Sequence, residues 1–136
     1  MTDNEALRST EEISNLLGLY CHYADDENYD AWASLFVDDG AMTIQGHAIA
    51  GASALKAWLI SVKSGTPLRH LMFNPVITID SSTTAHGTID AIYLGDHDGR
   101  WGITASPRYD DQFVRVDGSW RFLSRNLQLR MPVASP

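Results

Sequence analysis

The sequence predicts an α+β domain in which helices come first and antiparallel strands follow. Three observations carry this expectation. Apolar residues recur at helical spacing between positions 13 and 62, they recur at strand spacing from position 68 onward, and the later segments are joined by tight turn signals that pair sequential strands antiparallel.

The first helix is expected from about Thr10 to Asp25. Ser9, followed three residues later by Glu12, makes a capping box at its start, and Ile13, Leu16, Leu17, Tyr20 and Ala24 form one apolar stripe suited to lying against a sheet. Asn28 or Asp30 caps a short second helix carrying Trp32, Leu35 and Phe36, which ends at the turn Asp38-Asp39-Gly40. A short strand, Ala41 to Ile44, follows. Ser53 caps a third helix in which Leu55, Trp58, Leu59 and Val62 recur at the intervals 0, 3, 4 and 7, and Ser64, Gly65, Thr66 and Pro67 stop it. Four strand regions complete the chain: Leu68 to Ile79, Ala85 to Leu94, Trp101 to Val116 and Ser119 to Arg130, separated by the turn signals DSST, GDHDG and DG. No repeat, linker or low-complexity tract interrupts this order, so residues 1–136 read as a single domain.

Composition narrows the function classes. A chain of 136 residues that is 44% hydrophobic is long enough for one sizeable core. Ten Lys plus Arg against 17 Asp plus Glu give a net charge of -7, and no basic run follows a phosphate backbone, so nucleic acid is not an expected partner. No apolar stretch approaches the roughly 20 residues of a membrane-spanning helix, and the N-terminal MTDNEALRS lacks the features of a signal peptide; the expectation is a cytoplasmic protein with no membrane partner. Cys21 is the single cysteine, which excludes an intramolecular disulfide and suits a small core residue. His22, His47, His70, His86 and His97 show no HExxH spacing, and neither GxGxxG nor GxxxxGK[ST] occurs, so no metal and no cofactor are expected.

The candidate site rests on polar residues at positions that should face a core. On the strand from Leu68, alternation places His70, Met72 and Asn74 on one face and Leu71 and Phe73 on the other, both largely apolar. A buried imidazole needs a hydrogen-bond partner to offset its desolvation, and Asp25, at the edge of the first helical stripe, can supply it; a backbone carbonyl is the alternative. Tyr20 is the third candidate. At about 100° per residue it stands about 140° round the helix from Asp25, so the two converge only if the helix bends. Tyr109, Asp111 and Phe113 share a face, and the carboxylates of this segment are expected to point mostly to solvent. His86 shares a solvated face with Thr88 and Asp90.

Three segments, YCHYADDENYDAWASLFVDDG, LRHLMFNPVITIDSSTTAHG and PRYDDQFVRVDGSWRF, resemble the SnoaL-like branch of the NTF2-like superfamily in order and spacing. The resemblance covers nearly the whole chain and implies a cone in which a curved, mainly antiparallel sheet wraps N-terminal helices around a deep pocket. Within that branch, scytalone dehydratase, bile-acid dehydratase and hexachlorocyclohexane dehydrochlorinase use an aspartate–histidine dyad, which corresponds by position to Asp25 and His70; the bile-acid enzyme adds a tyrosine matching Tyr20. Two departures stand out. The second histidine of scytalone dehydratase falls at Gly95, and the basic residues that help chloride leave the dehydrochlorinase have no secure counterpart.

The resemblance implies a cofactor-independent lyase, a dehydratase acting on a hydrophobic cyclic small molecule by Asp-His general-base catalysis. A polyketide-type cyclase or an isomerase would use the same dyad. Leu17, Trp58, Met72, Tyr93 and Tyr109 are candidate pocket residues, with Asn74 and Tyr109 adding hydrogen bonds. A ligand-binding protein and a subunit like the small one of ring-hydroxylating dioxygenases are the non-catalytic alternatives. A homo-oligomer, dimer or trimer, is expected, with Leu123, Leu127 and Leu129 on an outer sheet face.

Overall fold

The computed structural model describes residues 1–130. The elements run α1 (Asp3–Asp25), α2 (Tyr29–Ala33), β1 (Phe36–Ile44), β2 (His47–Ala50), α3 (Ala52–Lys63), β3 (Leu68–Ile79), β4 (Thr84–His97), β5 (Arg100–Ala105), β6 (Pro107–Val116) and β7 (Ser119–Leu129). The α+β class and the helices-first order are as the sequence predicts. The seven strands form one mixed sheet in the order β2-β1-β7-β6-β4-β3, with β5 pairing β4 beyond the reach of β6. β1 and β7 run parallel, and every other pairing is antiparallel.

Several boundaries differ from the expected ones for local reasons. α1 begins two turns early because Thr2 and Glu5 form the capping box, with Glu5 N–H donating to Thr2 Oγ1 and Thr2 N–H to Glu5 Oε2; Ser9 lies buried inside the helix instead. α2 ends at Ala33, and Phe36 already belongs to β1, opposite Phe122 of β7. Asp38-Asp39-Gly40 is therefore an irregularity within a strand. A Cβ on Gly40 would stand 2.9 Å from the Val37 carbonyl oxygen, so glycine is what fits at this register shift. β2 was not anticipated; it returns from β1 through Gln45 and Gly46, both at positive φ. α3 starts at Ala52 with Gly51 at its N-cap rather than Ser53, and Val62 is exposed while Lys63 takes the buried position.

The expected strand Trp101 to Val116 is two strands. Pro107 has no N–H to continue the ladder on β4, so β5 ends at Ala105 and β6 begins a new register opposite Asp90. β3 carries a bulge, with Asn74 at φ 53 before Pro75 and a register shift between Phe73 and Val76. The bulged strand presses onto Gly87, where a Cβ would lie 2.7 Å from the Val76 carbonyl oxygen.

The helices close one side of the sheet over a core of Ile13, Leu16, Leu17, Tyr20, Trp32, Phe36, Leu55, Tyr109, Phe113 and Phe122. Two charges are buried with them. Asp111 and Arg125 are both 0% exposed, which corrects the expectation that Asp111 faces solvent. The alternation of Tyr109, Asp111 and Phe113 holds, and Arg125 makes the inward carboxylate tolerable. The β6–β7 ladder shifts between Gln112 and Phe113, leaving Leu123 unpaired, so the inward positions of β7 change from Trp120 and Phe122 to Arg125 and Leu127. Leu127 is accordingly core, not outer surface, while Leu123 stays exposed.

Candidate active site

β3 ends the sheet, and α1 packs against it. That arrangement brings Asp25, the last residue of α1, to His70 in the third position of β3. The His70 backbone N–H, which has no neighbouring strand to bond, donates to both Asp25 carboxylate oxygens at 3.1 Å. The imidazole Nδ1 lies 2.6 Å from Asp25 Oδ1. A carboxylate at a helix C-terminus opposes the helix dipole, and these contacts offset that cost. Because an ionised carboxylate only accepts, Nδ1 carries the proton and Nε2 keeps its lone pair in the neutral ring. The two side chains are 7% and 14% exposed, dry enough to strengthen the bond and open enough to meet a ligand.

From inside the core, Tyr109 packs on Tyr20 and Tyr93, the two phenols that flank the imidazole. Tyr93 meets it at a ring-centroid distance of 4.7 Å and Tyr20 at 6.0 Å, both edge-on. The Tyr93 hydroxyl is hydrogen-bonded to that of Tyr109. The Tyr20 hydroxyl donates to Met42 Sδ at 3.7 Å, so its ring reaches His70 while its oxygen is directed to a thioether. Burial pushes Tyr20 up to about 12 and raises Tyr93 and Tyr109 well above the usual phenol range, keeping all three protonated donors at neutral pH. Burial likewise pushes the Cys21 thiol up to about 11, as suits a packed residue.

Beneath the phenols, Arg125 Nε and Nη2 donate to the two oxygens of Asp111 at 2.8 and 2.9 Å. Its guanidinium carbon stands 4.4, 3.8 and 4.4 Å from the ring centroids of Tyr20, Tyr109 and Phe122. Burial works against the charge on Arg125, but Asp111 more than restores it and the guanidinium titrates above its usual range. Nη1 is buried and has no hydrogen-bond partner among the described residues. Reading the sequence missed this pair, although the placement of Asp111 between Tyr109 and Phe113 was a usable signal.

A cleft of about 300 Å³ opens between α1 and the β3 edge, with Leu17, Cys21, Asp25, His70, Met72 and Ile89 among its walls. Of the candidate pocket residues, Leu17 and Met72 line it. Tyr93 packs on the His70 ring, and Tyr109, fully buried, is bonded to Tyr93 rather than lining the cleft. Two candidates lie elsewhere. Trp58 packs on Trp32 between α2 and α3, 6.4 Å between ring centroids, and Asn74, turned outward by the bulge, reaches Asp90 at 3.4 Å. His86 pairs with Asp80 on the surface. Among the described residues no three His, Cys, Asp or Glu side chains cluster as metal ligands, and no helix is long and apolar enough to cross a membrane.

The sequence profile described as a SnoaL-like domain matches residues 5–126. The chain belongs to the SnoaL-like family. No curated protein matches it in sequence. Among solved structures, the SnoaL-like chain is similar to an NTF2-like protein with a cystatin-like fold from Novosphingobium aromaticivorans (23% identity, 90% of this chain and 82% of that one, TM-score 0.84). It is also similar to a candidate scytalone dehydratase from the same organism (24% identity, 96% and 89%, TM-score 0.86). A third likeness is to hexachlorocyclohexane dehydrochlorinase LinA-type3 from Novosphingobium barchaimii (21% identity, 96% and 92%, TM-score 0.83). At these identities the likeness is one of fold, and it assigns the SnoaL-like chain the NTF2-like architecture.

Proposed function

We propose that this SnoaL-like protein is a cofactor-independent lyase that eliminates water, or a comparable leaving group, from a hydrophobic cyclic small molecule. The observation that carries the reading is the 2.6 Å contact between His70 Nδ1 and Asp25 Oδ1 at the wall of a cleft in which Leu17, Met72, Phe73 and Ile89 supply apolar surface beside polar groups. Asp25 fixes the tautomer, and His70 Nε2 removes a proton beside an activating group; Asp25 then stabilises the imidazolium. General-base catalysis of this kind contributes about 10² to 10⁴ in rate. Tyr20 and Tyr93 flank the ring as neutral phenols; Tyr20 serves the leaving oxygen only by giving up its weak Met42 Sδ contact, while Tyr93 is held by Tyr109, and the ion-paired Arg125 and Asp111 lie beneath them. The same dyad serves a cyclase or isomerase when the carbanion attacks internally or is reprotonated elsewhere.

His70→Ala and Asp25→Asn test this directly. Each is expected to lower turnover of a cyclic β-hydroxy ketone by at least about 10² while binding persists. Turnover unchanged in His70→Ala refutes the mechanism, and binding without turnover in the wild-type protein supports a carrier instead.

A further inference from the structure

A second cavity of about 510 Å³ adjoins the cleft and shares His22, Asp25 and Arg69 with it. Lys63, at the end of α3, and Trp101, at the start of β5, complete its walls. Lys63 is 4% exposed, an unusual position for an ammonium group with three donors to satisfy. Its closest carboxylate oxygen among the described residues is Glu27 Oε1 at 3.8 Å, and that oxygen already accepts from the Gly65 N–H at 2.7 Å and the Tyr29 hydroxyl at 3.2 Å. The hydrogen-bonding capacity of Lys63 is therefore largely unspent, and it lines an open cavity. Arg69 is exposed and forms no ion pair among the described residues. Of the acidic groups facing the same space, Asp25 is committed to His70 and Asp26 is exposed to solvent, which screens it. Trp101, 55% exposed, offers a flat apolar face beside these cations.

We propose that this second cavity is a recognition subsite for an anionic oxygen group, a carboxylate or a phosphate, carried by the ring that occupies the cleft. The inference rests on the proposed function for the identity of the cleft and deepens it by naming the substrate class, an acidic ring compound. Lys63 supplies a desolvated point charge and Arg69 a planar fork, a pairing suited to oxyanions. Trp101 covers the ring face at the entrance. The neutral end of the molecule then points along α1 toward His70.

Equilibrium binding of three probes to the full chain, measured by calorimetry, tests this: 2-naphthoate, 2-naphthyl phosphate and the neutral 2-acetonaphthone. The wild-type protein is expected to bind at least one of the anions about tenfold or more tightly than the ketone, with the preference shrinking at high salt. The tighter anion identifies the group. Arg69→Gln, at an exposed position, is expected to reduce that preference about fivefold and leave ketone affinity within about twofold; Lys63→Met does the same if it folds, as checked by thermal melting. Equal binding of all three probes, no binding of any, or loss of ketone and anion affinity together in Arg69→Gln overturns the proposal. His70→Ala leaves the anion preference intact, so an inactive dyad and an absent subsite give different results.

Discussion

Replacing Asp111 by Asn keeps the side-chain shape and removes the negative charge, leaving the Arg125 guanidinium fully buried with no counter-ion. In the native protein the pair is 0% exposed on both sides and joined by two hydrogen bonds of 2.8 and 2.9 Å. Three aromatic faces and the Met72 thioether, none of which can neutralise a charge, stand beside it as well. Breaking a buried pair from one side costs about 3–5 kcal/mol, against a total stability for such a domain of about 5–15 kcal/mol. The expected fall in melting temperature is about 10–20 °C. Asp111→Leu combined with Arg125→Met removes both charges at similar volume, and its stability is expected to return to within about 2 kcal/mol of the wild type. Urea denaturation with the slope checked for constancy measures both. If Asp111→Asn costs less than about 1 kcal/mol, or the double variant is no more stable than the single one, the burial energetics argued for this pair are wrong.

Three further outcomes follow from the geometry. Nitrogen-15 NMR of the free protein at neutral pH is expected to show His70 protonated at Nδ1, with the tautomer preference lost in Asp25→Asn; an Nε2-protonated ring in the wild type contradicts the dyad. Cys21, pushed from 9.0 to about 11, is expected to react with iodoacetamide at pH 8 about 100-fold more slowly than an exposed thiol, the rate climbing toward pH 11; reaction at the free-thiol rate refutes its burial. Tyr20 is raised from 10.0 to about 12, so its neutral form is favoured by folding: its contribution is whole below about pH 10 and is lost between pH 10 and 12, up to about 2.7 kcal/mol. Tyr20→Phe is expected to be less sensitive to alkaline unfolding over that interval, which a denaturant series at increasing pH measures.

Part of this molecule is legible in single residues. The α1 stripe, the third helix and the inward face of β6 are visible because each depends on one local period, and His70 and Asp25 stand out as polar residues where packing calls for apolar ones. Other features depend on register. Strict alternation from Trp120 and Phe122 places Arg125 outward, and only the unpaired Leu123 reverses it. The outward turn of Asn74 likewise follows from a positive φ ahead of Pro75 that alternation does not contain. The Arg125–Asp111 pair spans two strands, and each member alone resembles an ordinary surface charge. The start of α1 is ambiguous in the sequence for a different reason: two capping boxes, Thr2 with Glu5 and Ser9 with Glu12, both fit, and the helix extends to the earlier one.

The backbone contact between His70 and Asp25 has a bearing on the fate of damaged chains. β3 is the last strand of the sheet, and its free main-chain groups offer a template to which another strand can bond. The Asp25 carboxylate occupies one of those groups and places a negative charge beside the rest. A change at Asp25 therefore releases the imidazole and unguards the edge at once. Variants at this position are expected to self-associate as well as lose activity, whereas His70→Ala, which keeps the backbone N–H, stays dispersed.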